Sequence, residues 1–136
     1  MDSKPRSTIP VAVRIASEQE PVDCSGTYTE QSDGFSLRFC MGADEFTVVH
    51  TKAATSVAAK GVMNYDIVLN DAETFTMLKT PYGEMKFAVV TRERSVVRLN
   101  DSIRILLEYT MKNDASGEMD RAVDITVDLT QSKETL

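Results

Sequence analysis

The chain has 136 residues, 42% hydrophobic and 26% charged, the proportions of a folded globular domain and not of a disordered segment. Its net charge of −6, from 21 acidic and 15 basic side chains with no basic cluster, argues against nucleic acid or an anionic membrane as partner. No stretch of about 18 apolar residues occurs and the polar start MDSKPRST lacks a signal-peptide core. The expectation is therefore one cytoplasmic domain over residues 1–136, with no membrane contact and with 1–7 and 131–136 as frayed ends.

Along the chain the hydrophobic period is two. Ile9, Val11, Val13 and Ile15 alternate with Pro10, Ala12 and Arg14, and Val22, Cys24, Gly26 and Tyr28 repeat the pattern. A turn at Ser32-Asp33-Gly34 leads to Phe35, Leu37, Phe39 and Met41. After Gly42-Ala43-Asp44, residues 46–51 read as a strand with His50 on the parity of Phe46 and Val48. Residues 53–60 form a small-residue strand running through Gly61 into Met63, Tyr65, Ile67 and Leu69. The window 51–60 is also the best candidate for a short helix, although its Thr, Ser and β-branched Val57 count against one.

Asn70-Asp71 turns the chain into a strand over 74–78, and Thr80-Pro81-Tyr82-Gly83 is a turn with Pro and Gly suitably placed. Met85, Phe87, Val89 and Thr91 continue the alternation, and the polar residues 92–95 are expected to bend or bulge the strand before 96–99. Asn100-Asp101 precedes Ile103, Ile105, Leu107, Tyr109 and Met111. A loop over 113–118 leads to the last strand, where Val123, Ile125, Val127 and Leu129 alternate with Asp124, Thr126 and Asp128.

Short connections between strands with one apolar face describe an all-β, antiparallel up-and-down meander. Eight or nine such strands bury that face by closing into a β-barrel, which also removes exposed edges; a two-sheet sandwich is the alternative. In the first hairpins Cys24 shares a face with Leu37 and Phe39 while Cys40 faces the other way, so no disulfide is expected.

The run Thr80-Pro81-Tyr82-Gly83-Glu84-Met85-Lys86-Phe87-Ala88-Val89-Val90-Thr91, the later Ile103-Arg104-Ile105-Leu106-Leu107-Glu108-Tyr109, and Gly61 ahead of Ile67 and Leu69 resemble the YwiB-like proteins, small bacterial domains of unknown function. The resemblance spans residues 9–129, specific at the TPYG turn and loose elsewhere. Two places depart from the family: Ala88 stands where a Gly is usual, and an acidic, Gly-containing, Thr-rich segment is reduced to Thr47 and Thr51 within 42–51. The resemblance implies a calycin-like, lipocalin-type barrel and a cytoplasmic bacterial protein, and it implies no catalytic residues. Calycins often bind small apolar ligands inside the barrel, but this chain has no Trp and so lacks the Gly-x-Trp start of true lipocalins.

One His and two Cys on differing faces argue against a metal site, and no cofactor motif or Gly-rich phosphate loop occurs. A Cys–His nucleophilic pair would need His50 beside Cys24; a mouth histidine with an ordinary hydrogen bond is the simpler reading. Lys86, Arg92, Arg94 and Arg98 read as one basic stripe, suited to an anionic headgroup or, more simply, to a solvated outer face paired with Glu108, Asp124 and Asp128. A glycosidase-type carboxylate pair lacks both a cleft and an aromatic platform.

The inward polar groups are Tyr28, Tyr65, Tyr109 and Thr91, with His50 at a barrel mouth; these five are the candidate ligand-binding residues. Met41, Met63, Met77, Met85 and Met111 are assigned to the core as adaptable fillers, and residues 53–59 leave interior volume. Two functions follow: a non-catalytic barrel binding a small apolar or amphipathic ligand, or a structural or protein-interaction module working through its outer surface or self-association.

Overall fold

The computed structural model describes residues 8–17, 20–115 and 117–130, so the expected frayed ends at 1–7 and 131–136 lie outside the described residues. Ten strands follow one another: β1 (Thr8–Ala16), β2 (Val22–Gln31), β3 (Gly34–Met41), β4 (Asp44–Thr51), β5 (Thr55–Lys60), β6 (Tyr65–Leu69), β7 (Thr74–Thr80), β8 (Gly83–Arg98), β9 (Ser102–Asn113) and β10 (Gly117–Asp128). All pair antiparallel in one sheet of order β6-β5-β4-β3-β2-β1-β10-β9-β8-β7. This is the expected meander, joined through β1 and β10 and curled into a nearly closed barrel; the sandwich does not form.

There are ten strands instead of eight or nine because residues 53–69 are a hairpin. Asn64 and Asp44 make the turn: the Asn64 side chain bonds both Gly61 backbone groups, and the Val62 N–H donates to the Asp44 carboxylate at 2.9 Å. A Cβ on Gly61 would collide with that carboxylate, so the close approach needs glycine there. The 51–60 window holds no helix: Thr51 ends β4, residues 52–54 turn, and Thr55–Lys60 is β5, as its β-branched residues favour. The TPYG segment forms the β7–β8 hairpin, Thr80 opposite Gly83, with Tyr82 almost wholly in solvent.

The barrel closes between β6 and β7 without a full ladder. Asn64 and Lys79 exchange both backbone hydrogen bonds, each 2.9 Å. Beyond that bridge, threonine side chains span the gap. Thr76 Oγ1 donates to the Asp66 carbonyl at 2.9 Å and Thr74 Oγ1 to the Val68 carbonyl at 2.6 Å. Two acceptors of an otherwise open edge are thereby satisfied. Thr76 is 6% exposed while its apolar neighbour Phe75 is 59% exposed, so β7 turns its threonines inward.

The centre of the inner face is apolar, made of Val11 and Val13, Phe35 and Leu37, Ile103, Ile105 and Leu107, and Ile125 and Val127. Met41 and Met111 pack against this core, but Met63, Met77 and Met85 do not belong to it. Met63 lies in the β5–β6 turn, Met77 shares the outward parity of Phe75, and Met85 sits near the tip of the β7–β8 hairpin. Gly26 opposes Phe39 and Tyr28 opposes Leu37, as the parity argument requires. Cys24 and Cys40 are both free thiols, Cys24 half-buried and Cys40 exposed.

Thr76→Val keeps the shape of the side chain but leaves the Asp66 carbonyl without its donor. The expected cost is about 1–3 kcal/mol in urea denaturation, with backbone amides of β6 and β7 exchanging faster than those of β1 and β10.

Candidate functional site

The bulge expected at 92–95 occurs between Thr91 and Glu93: Thr91 pairs with Tyr109, Glu93 with Glu108, and Arg92 is the extra residue. It reverses the parity of the rest of β8. Arg92 stays outside, 3.4 Å from Asp120, whereas Arg94, Val96 and Arg98 turn inward. The single basic stripe of Lys86, Arg92, Arg94 and Arg98 therefore does not exist. On the outer face Arg14–Asp23 and Arg104–Asp124 form bidentate pairs, exposed enough to add little stability.

The two inward arginines fill one end of the barrel. Arg94 donates to the carbonyls of Thr51 (3.1 Å) and Lys52 (3.0 Å) and to Thr55 Oγ1 (3.3 Å), tying β8 to the β4–β5 turn across the interior. Thr55 is fully buried, and its hydroxyl lies 2.7 Å from His50 Nδ1. A hydroxyl accepting from Arg94 is free to donate to Nδ1, which suits a neutral ring protonated on Nε2.

Arg98 reaches Tyr28 and Glu30 at 3.3–3.4 Å and lies over the Phe35 ring, 5.7 Å from its centroid. Tyr28 donates to Glu30 at 2.5 Å. Burial, and then this bond to a carboxylate, pushes the Tyr28 phenol up to about 12. The Phe35 ring sits 5.3 Å from both Tyr28 and His50. Tyr28 and His50 thus belong to a network whose members use one another as partners, so this end is plugged. Cys24 lies toward the opposite end, across from Val13, so it does not form a pair with His50.

The other end is open. A cavity of about 190 Å³ lies among Phe39, Phe46, Val48, Val57, Leu107 and Ile125. Ile15, Ser17, Met41, Val123, Tyr65, Tyr109 and Arg121 complete its lining, with Ser17 and Arg121 exposed at the mouth. Phe39 and Phe46 stack at 5.4 Å and form one wall. Tyr65 is half-buried; burial first, then Tyr109, raises its phenol, while the Arg121 charge acts in the opposite direction.

The five candidate residues are thus divided. Tyr65 and Tyr109 meet in the cavity, and Tyr28 and His50 meet in the plug. Thr91 lies beside Tyr109 on the inner face but outside the cavity, its buried Oγ1 without a hydrogen-bond partner among the described residues. Arg121 was missed. It continues the inward parity of Val123, Ile125 and Val127, and is hidden only if 113–118 is read as a loop and the last strand is begun at Val123. Among the described residues no three His, Cys, Asp or Glu side chains cluster as metal ligands would, and no helix is long and apolar enough to cross a membrane.

The fold has a counterpart among solved structures. The crystal structure of the YwiB protein from Bacillus subtilis superposes with a TM-score of 0.73, covering 89% of this chain and 92% of that one at 17% identity. The resemblance carried by the TPYG and Ile103–Tyr109 segments is therefore matched in three dimensions, at the level of the fold. No family model matches the sequence, and no curated protein does.

His50 is held below its ordinary 6.5 by burial first, then by the charges of Arg94 and Arg98. The fold prefers the neutral ring, so the stability His50 contributes is present above pH 6.5 and is lost as pH falls through its native value. NMR titration of this sole histidine should give a pKa below 6.5, moved toward 6.5 in Arg98→Met.

Proposed function

We propose that this chain is a non-catalytic binding barrel that takes a small apolar or amphipathic molecule into the open end of its interior. The observation that carries the reading is the cavity of about 190 Å³, walled by hydrocarbon and aromatic side chains with two phenols in its lining. Few polar groups converging on an apolar recess is the usual composition of a small-molecule site. The polar lining residues are Ser17, Tyr65, Tyr109 and Arg121, a set without a carboxylate or imidazole to act as general base.

Size limits the ligand. An apolar cavity of about 150 Å³ accepts benzene, so this one suits one ring or a small bicycle, roughly ten non-hydrogen atoms. At about 0.5 kcal/mol per atom such a ligand binds with Kd on the order of 100 µM.

A second reading, an interaction module, has one observation in its favour: Phe75, Met77 and Tyr82 are exposed on the β7–β8 hairpin. Light scattering on the eluting protein tests it, and a strict monomer at high concentration counts against self-association.

The binding reading is tested by calorimetric titration with indole. Val57→Phe, which fills the cavity, should weaken binding by at least about tenfold, while Val57→Ala retains it. Indole binding unchanged in Val57→Phe, or absent from the native protein, contradicts the proposal.

A further inference from the structure

We infer that the ligand is a small organic monoanion, an aromatic or branched carboxylate whose hydrocarbon fills the cavity while its carboxylate meets Arg121 at the mouth. This rests on the binding reading above and names the class of molecule the pocket takes.

The first ground is how the arginines are used. Arg14, Arg92, Arg98 and Arg104 each lie within 4 Å of an acid, and Arg94 is occupied by carbonyls and a threonine. Arg38 and Arg121 are the remaining described arginines, with no carboxylate within ion-pair distance in a chain with six more acids than bases; Arg38 is exposed on the outer face opposite Thr27 and Thr47, and of the two Arg121 lines the cavity. Its neighbour Asp120 is engaged on the outer face by Thr110 and Arg92. The guanidinium is left at the rim of an apolar recess.

The second ground is what surrounds it. Arg121 opposes Tyr109 across the β9–β10 ladder, and both line the cavity with Ser17. The planar fork of a guanidinium can bind both oxygens of a carboxylate. Tyr65, which lines the same cavity, feels both Tyr109 and the Arg121 charge.

The third ground is size. A ten-atom acid has enough hydrocarbon for one ring or a branched chain, and its charge must stay at the mouth because the walls are apolar. A long acyl chain exceeds the cavity. A free cation would meet Arg121.

Phenylacetate and its neutral isostere phenylacetamide are the probes, titrated into ¹⁵N-labelled protein. Phenylacetate should bind about five- to tenfold tighter than the amide, the effect of one partly exposed charge-assisted contact. Arg121→Gln should abolish that preference while amide binding stays within about twofold, and Arg121→Lys should keep part of it. Equal binding of acid and amide, or a preference that survives R121Q, overturns the assignment to an acid and leaves the pocket reading intact. Binding of neither probe, together with no indole binding, removes both. Shift changes confined to the outer face also overturn the assignment.

Discussion

Between Thr91 and Glu93 the β8–β9 ladder takes in one extra residue, and every side chain of β8 beyond it changes face. Without Arg92 as that extra residue, Arg94 and Arg98 would point to solvent and Glu93, Ser95 and Val97 would point in. With it, Arg94 turns inward, part-buried, and Arg98 turns to the same side at the rim with its side chain 49% exposed, and both find acceptors there. The β4–β5 turn carbonyls and Thr55 serve Arg94, while Tyr28 and Glu30 serve Arg98. That network closes one end of the barrel and draws in His50 and Phe35. The cavity at the far end is what remains of the interior once the other end is filled.

Closure of the sheet follows a similar economy. Ten strands curl far enough for β6 and β7 to meet at Asn64 and Lys79, but not to zip along their length. Thr74 and Thr76 reach across instead, which is why β7 directs hydroxyls inward and leaves Phe75 and Met77 outside. The seam borders β6, and β6 carries Tyr65 to the lining of the cavity. An end bounded by the least regular join in the sheet has fewer backbone hydrogen bonds to lose there than the β1–β10 and β9–β10 ladders have.

Most of the architecture was legible in the sequence because a barrel strand has only one buried face, and period-two alternation reports it directly. The inner set from Ile9 to Val127, the separation of Cys24 from Cys40, and the existence of a bulge near Arg92 were all readable. The consequence of the bulge was not, since the parity of residues after it depends on how many residues it absorbs. β7 misled for another reason: Phe75 and Met77 face out, and only the partner carbonyls of β6 explain why. Arg121 escaped because a charged side chain at a strand start is indistinguishable from loop without knowing where β9 ends. Of the five candidate ligand contacts, Tyr65 and Tyr109 reached the cavity because they share its end of the barrel; alternation assigns a face but not an end.

We propose that the open end, and not the plugged one, receives the ligand. Intermolecular nuclear Overhauser effects from bound indole test it most directly. Contacts are expected to the methyl groups of Val57, Leu107 and Val123, and none to Leu69 or Ile103. Contacts to Leu69 and Ile103, or only to methyls on the outer face, would contradict it.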